Sequence, residues 1–251
     1  MKTDARAHGR TGARTRLALA LAVRLCACAS VPSVLAAQEV GTAPEHSPFQ
    51  DILTHEGITL FAGRFAGNAN DAHTGVRPGL MLGGRLNVRL GSALDFSATF
   101  GEAFTSRLRI DAGGDTARVV GNVNVRLLAA DVGLQLNLTG DKTWHRLAPY
   151  LYLGAGITTP SANTVDPGGF ALGTQFTVVP ALGTRFFVSR GLELRFEARD
   201  YYYRTNFPLS FITVPYAGHT DYSPINSVLV GDSVWYNNFM LWVGVTYGFN
   251  F

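Results

Sequence analysis

Beyond residue 37 this 251-residue sequence has no cysteine: Cys26 and Cys28 are its only two, and both come earlier. A chain exported without disulfides must draw its stability from a large core or a closed sheet. Lysine is nearly as scarce, since Lys142 is the only one past residue 37 and every other basic residue there is arginine. No uncharged apolar run reaches roughly 18 residues, which argues against a membrane-spanning helix. Long helical patterns, sequence repeats and Ser- or Pro-rich linkers are also missing. Charge is low at 16%, and its sign misleads. The first 37 residues hold six of the 21 Lys+Arg and one of the 18 Asp+Glu, so the remainder carries 15 against 17, a net of −2. The basic pI of about 9.0 therefore belongs to the leader and supports no nucleic-acid partner.

Residues 1–37 have the composition of a signal peptide. "MKTDARAHGRTGARTR" is a basic n-region, an apolar run follows from Leu17, and small residues at Val34-Leu35-Ala36 or Ala37 offer a cleavage point. Residues 38–55 form a lead segment. Within it "SPFQDILTHEG" has Ser47 as a helix cap, Pro48 at the first helical position and Gln50 completing a capping box, so the segment predicts either a short amphipathic helix or an unstructured lead. Residues 56–251 suit a single domain.

Most of that domain alternates with period two. Leu192, Leu194, Phe196 and Ala198 share one face, and Glu193, Arg195, Glu197 and Arg199 share the other. Eight such strands are predicted at about 57–66, 78–90, 93–110, 118–138, 147–158, 170–188, 191–205 and 236–251. The first is ambiguous in phase and Pro180 interrupts the sixth. The fourth changes phase near Leu127-Leu128, which predicts a bulge there. Links at 91–92 and 189–190 are tight, whereas 67–77, 159–169 and 206–235 are long. Alternating short and long links put both termini at the short-link end.

Alternation alone leaves two barrels open, a soluble one with the apolar face inward and a membrane one with it outward. The strands outrun the roughly 9–11 residues needed to cross hydrocarbon. The polar faces carry Glu/Arg pairs suited to buried ionic bonding. The apolar faces are almost free of charge, with Glu102 and Asp200 as exceptions near an outer rim. Tyrosines 201, 202 and 203 cluster at one strand end, as at a lipid–water boundary. The fold class is therefore all-β: an eight-stranded antiparallel transmembrane β-barrel, an up-and-down meander with periplasmic termini. Its last strand must close against the first, because unpaired amides cannot be left in lipid.

The closing stretch "FMLWVGVTYGFNF" (Phe239–Phe251), together with "APYLYLGAGI" (Ala148–Ile157) and "ELRFEARDYYY" (Glu193–Tyr203), resembles small OmpA-type outer-membrane barrels. The resemblance covers about residues 56–251 and rests on pattern and ending. It implies location in the outer membrane of a Gram-negative-type cell, contact with outer-membrane lipid and lipopolysaccharide, and insertion by the barrel-assembly machinery. That machinery would read Tyr247, Phe249 and Phe251 as a C-terminal assembly signal.

The candidate site is the enclosed polar face. Arg85, Arg89, Asp95, Arg107, Arg126, Asp131, Arg185, Glu193, Arg195, Glu197 and Arg199 would form an ion-pair network across the lumen, with Met240 and Trp242 filling it further. An eight-stranded barrel is just wide enough for side chains to fill, so a packed interior is expected over a gated pore. The long loop carries His219, Asp221 and Ser223, the residue types of nucleophilic hydrolysis, at a spacing that does not define a triad. The histidines are scattered, and no cofactor or metal motif is present. "DAGGD" (Asp111–Asp115) and "NAND" (Asn68–Asp71) read as loop tips. The expectation is a monomeric, non-enzymatic barrel acting in envelope structure or surface interaction through a loop ligand that the sequence does not name. The alternatives are a narrow conduit for small or hydrophobic solutes and, further off, a lipid-modifying enzyme.

Overall fold

The computed structural model describes residues 47–69, 73–111, 118–208, 211 and 233–250. Twelve strands follow in order: β1 (Phe49–Asp51), β2 (Glu56–Phe65), β3 (Gly79–Arg89), β4 (Leu94–Asp111), β5 (Arg118–Asn137), β6 (Lys142–Trp144), β7 (Leu147–Pro160), β8 (Gln175–Ser189), β9 (Leu192–Asp200), β10 (Tyr202–Asn206), β11 (Ser233–Tyr236) and β12 (Phe239–Phe249). Neighbours pair antiparallel from β2 through β3, β4, β5, β7, β8 and β9 to β12, and β12 returns to β2 from Met240↔Phe65 to Phe249↔Glu56. The sheet is closed, an eight-stranded antiparallel transmembrane β-barrel. Strands β9 and β10 are one strand in register, since Ala181↔Arg199 and Tyr202↔Val178 belong to the same β8 ladder. The ladder opens between them beside Pro180, which has no amide hydrogen to donate. The β11–β12 pair is likewise continuous against β10 and β9.

The alternation decides the two faces. Ile58, Leu60, Leu82, Phe100, Val132, Leu134, Leu153, Leu182, Phe196, Leu241, Val243 and Val245 point outward and are exposed. All eight long strands contribute to this apolar belt, far more apolar surface than the few hundred Å² a soluble monomer exposes in one patch. Polar side chains bound the belt at one edge: Arg64 on β2, Glu102 on β4, Arg126 on β5 and Asp200 on β9. From Leu192 to Asp200 the strand covers about 26 Å at about 3.3 Å per residue, or about 20 Å of height at a tilt of about 40°. That is close to the apolar band of about 25 Å found on membrane barrels. Among the described residues there is no α-helix, and none is long and apolar enough to cross a membrane; the crossing is made by strands.

At the short-link end, tight turns follow β3, β5 and β8. Gly140 takes φ +66° in the turn after β5, a left-handed conformation that glycine adopts without strain. The lead segment does not form the short helix that Ser47, Pro48 and Gln50 suggest. Residues Phe49–Asp51 are extended and pair with Lys142–Trp144, Phe49 opposite Trp144. Backbone bonds from His145 N to Pro48 O (2.8 Å) and from Ile52 N to Asp141 O (2.8 Å) extend the ribbon. A sheet partner within reach outcompetes a single helical turn, whose nucleation is unfavourable. Ile52 is buried beneath this ribbon.

Strands β4 and β5 continue well past the belt. Glu102 to Asp111 adds about 30 Å of strand, roughly 20 Å of it above the rim. No bulge occurs at Leu127-Leu128. Pairing runs unbroken there, and the register shifts instead at Arg109/Ile110, opposite Val119 and Gly121. Odd-numbered side chains of β5 face inward from Val123 to Asn137 without a change of phase. The swap of hydrophobicity near residue 127 marks a change of surroundings.

Candidate functional site

The interior is filled in two tiers. In the lower tier, level with the belt, arginines and carboxylates bond one another. Glu197 on β9 is the hub. Arg85 on β3 donates to both its oxygens (2.6 and 3.2 Å), and Arg199 Nε donates at 2.7 Å. The Tyr150 hydroxyl adds 2.7 Å and the Trp242 indole N–H 3.1 Å. Arg199 also reaches Asp131 (3.0 Å), which accepts the Tyr152 hydroxyl at 2.6 Å. The Arg85 and Arg199 guanidiniums lie over the Tyr152 ring at 4.7 and 5.3 Å. The side chains of Arg85, Glu197 and Arg199 have no solvent exposure.

Nearer the short-link end, Asp95 accepts from Arg89 (3.3 Å), Gln135 (3.1 Å) and Asn137 (3.0 Å), with Arg185 at 3.8 Å. Arg195 donates to Asn87 and Gln135, both at 3.1 Å, and stands 3.9 Å from Glu193. This tier sets five guanidiniums, from Arg85, Arg89, Arg185, Arg195 and Arg199, against four carboxylates, from Asp95, Asp131, Glu193 and Glu197.

Such crowding needs room elsewhere in each layer, and inward-facing glycines supply it. A Cβ on Gly183 would lie 2.5 Å from the Tyr150 hydroxyl, and one on Gly133 2.8 Å from Tyr152 Cζ. Large and small residues alternate around a narrow lumen.

The upper tier is built from different material. Phe65, Leu127, Val179 and Tyr201 are buried in an apolar cluster, which Phe61, Met81 and Met240, beside the belt residues Leu60, Leu82 and Leu241, join to the ionic layer below. Over them the links close the mouth. Phe170, from the β7–β8 link, packs on Phe207 (5.6 Å between centroids) and Phe211 (5.8 Å), and Phe207 meets Tyr236 edge-on at 6.4 Å. Val76 and Leu172 are buried alongside. Two ion pairs hold Asp166 of the link, with Arg107 and with Arg109 at 3.5 Å. Arg107 donates to Asp166 at 2.7 Å and to the Thr164 carbonyl at 2.7 Å, and its guanidinium lies 5.4 Å over the Phe170 ring. Asp166 accepts as well from the Ile110 amide (3.3 Å).

All but one of the eleven residues assigned from sequence to the lumen point inward. Arg126 does not. Its side chain lies outside, 66% exposed, 3.7 Å from Glu102 and over the outer face of Phe104 at 5.7 Å. Beyond the rim the outward direction meets water, so an arginine sits there at little cost. Two of the three clustered tyrosines are also displaced from the expected boundary. Tyr201 and Tyr203 are buried inside, and only Tyr202 faces out. Sequence reasoning missed Asp166 and Phe207, which lie in links without period-two alternation, and placed Phe170 in the sixth strand, outside which it lies. It also missed Tyr150 and Tyr152 as partners of Glu197 and Asp131, although both share the inward phase of β7.

Tyr247 faces outward and stacks near Phe249 at 6.3 Å. Phe251, the segment 1–37, Asp71, residues 112–115 and the group His219, Asp221 and Ser223 lie outside the described residues. Among the described residues no cluster of His, Cys, Asp and Glu could hold a metal ion, and His55, His73 and His145 are all exposed.

No protein-family model matches the chain, and no curated protein matches it. Solved structures similar to it include Neisserial surface protein A (14% identity, TM-score 0.48, 81% of this chain and 98% of the other). Two more are the outer-membrane protein OprG of Pseudomonas aeruginosa (11%, 0.44, 79% and 97%) and the attachment invasion locus protein Ail of Yersinia pestis (11%, 0.41, 78% and 99%). What this chain does has to be read from its own surface and interior.

Proposed function

We propose that this protein is a non-enzymatic outer-membrane barrel that stabilises the envelope or contacts the surroundings through its extracellular links, and that its lumen does not conduct. The observation that carries this is the filling of the barrel. Arg85, Glu197, Arg199 and Asp131 neutralise one another across its middle, and the Phe170 cluster covers them from above. A buried guanidinium–carboxylate array in which Arg85 and Arg199 are each bonded to fixed carboxylates is a scaffold, and its filling of the lumen favours structure over conduction. The apolar belt supports placement in a bilayer, and the export signal expected over residues 1–37 supports the outer one. In this reading Tyr247, Phe249 and Phe251 are what the assembly machinery recognises, with lipopolysaccharide and phospholipid as the surrounding solvent and the monomer as the working unit.

Planar-bilayer recording of the purified protein tests it. The expected outcome is no steady unitary conductance. A stable conductance in the wild type that shifts when Arg195 or Glu197 is reversed in charge would overturn the proposal in favour of a solute conduit.

A further inference from the structure

The outer surface is not uniform around the barrel. On the face made by β8, β9, β12 and β2, small outward residues leave a shallow apolar groove of about 600 Å³. Ala62, Leu182, Phe196, Ala198, Leu241 and Val243 line it. It lies within the belt, so acyl chains are what it meets. Above it the same strands continue past the rim and carry an unusual pair. Tyr202 on β10 and Trp235 on β11 stack with centroids 5.0 Å apart and planes 17° apart, both outward and exposed. Arg204 stands opposite Trp235 in register and, among the described residues, bonds Ser233. Arg64 on β2, opposite Leu241 at the lip of the groove, makes no hydrogen bond or ion pair among the described residues. Asp200 is an acid on this face, and its Oδ1 is held by the Asn238 amide (2.8 Å).

We infer that this face is a binding site for a phosphorylated glycolipid of the outer leaflet. Each part of the ligand has a counterpart. The groove accepts an acyl chain by displacing loosely packed lipid from small residues. The stacked rings offer a flat apolar face with a polar tip, which suits the C–H face of a sugar at the membrane–water boundary. The two arginines, at different heights on one face, suit a headgroup with more than one phosphate, since guanidinium binds phosphate through paired, charge-assisted hydrogen bonds. Among the described residues neither arginine has a carboxylate within ion-pair distance, so binding need not break a pair seen there. A phosphodiester lipid would leave the aromatic platform unused. A second copy of the chain would bring like charges together. The inference rests on the outer-membrane reading above.

Native mass spectrometry of the full mature chain in detergent, titrated with purified bisphosphorylated lipid A, tests it. Parallel titrations use dephosphorylated lipid A and phosphatidylglycerol. Variants are Arg64→Gln with Arg204→Gln, and separately Ala198→Leu to fill the groove. Heat-modifiable gel mobility checks that each is folded. The wild type is expected to retain one bisphosphorylated lipid in preference to the other two. The arginine double variant should retain it about tenfold less, roughly threefold per exposed charge pair. Ala198→Leu should lower retention of all three lipids. Equal retention by wild type and double variant, equal binding of phosphatidylglycerol, or a dimer mass lost on substituting Ala198 would each overturn the site. Those outcomes leave a folded membrane barrel intact. A chain that stays folded and dissolved without detergent would instead overturn the function proposed above.

Discussion

The two tiers of the barrel interior solve the same packing problem with opposite chemistry. Level with the belt, the lumen is ionic and the outer face is aliphatic. Above the rim marked by Arg64, Glu102, Arg126 and Asp200, the lumen is aromatic and the outer face mixes polar side chains with the exposed rings of Phe104, Tyr202 and Trp235. The backbone does not change between them: β5 keeps one inward phase from Val123 to Asn137. What changes is the medium outside. Hydrocarbon offers no hydrogen-bond partner, so polar side chains there must find one another inside. Water rewards the removal of apolar surface, so above the rim Tyr201, Tyr203, Phe170 and Phe207 turn inward. "Inside" therefore means two different environments along one strand.

The sharpest way to break this comparison is at the ionic hub. Replacing Glu197 with alanine leaves Arg85 and Arg199 short of a buried counter-charge, and Tyr150 and Trp242 without an acceptor. Removing one partner of a buried pair costs about 3–5 kcal/mol. The urea midpoint for unfolding from lipid vesicles should drop sharply, with Glu197→Gln falling between wild type and alanine because it keeps an acceptor without the charge. A midpoint unchanged in Glu197→Ala would mean that the lower tier does not hold the barrel together.

The upper tier should fail differently. Phe170→Ala removes a fully buried ring that packs on Phe207 and Phe211 and lies beneath the Arg107 guanidinium. Truncating a buried phenylalanine costs about 3–5 kcal/mol, but here the loss falls on the β7–β8 link. The closed ladders below it are untouched. Hydrogen exchange should therefore accelerate at residues 163–172 while the amides of β9 and β12 keep their protection, a local opening well below the global one. Equal acceleration in both tiers would show them to be a single cooperative unit and remove the distinction between them.

Sequence periodicity carried the strands well because each is long and its apolar face meets lipid on every second residue. The predicted 191–205 falls on the β9–β10 pair and 236–251 on β12 for this reason, whereas Ser233–Trp235 of β11 lie in the predicted long link. The ambiguity of the first strand has a physical cause too. In β2 the outward Ile58 and Leu60 face lipid while Phe61 and Phe65 enter the aromatic tier, so both faces are apolar. The predicted sixth strand began at residue 170, five positions before β8, because Phe170, Leu172 and Gly173 alternate in hydrophobicity without pairing in the sheet. Asp166 was invisible for a different reason. Its partner Arg107 lies 59 residues away, and only the closed barrel brings a link between β7 and β8 back over β4.

Arg126 tests the smallest and most diagnostic difference. Had it faced the lumen, losing it would have stranded a buried carboxylate, at about 3–5 kcal/mol. Facing water beside Glu102 at 3.7 Å, with two-thirds of its side chain exposed, it makes a solvent-screened pair worth about 0–1 kcal/mol. Arg126→Ala should therefore leave the urea midpoint within a few tenths of a kcal/mol of wild type. Arg126→Leu should do the same, because its neighbours outward along β5, Leu128 and Ala130, already carry apolar side chains down into the belt. A large loss in either variant would put Arg126 back among the enclosed charges, and with it the phase of β5 and the level at which water gives way to lipid.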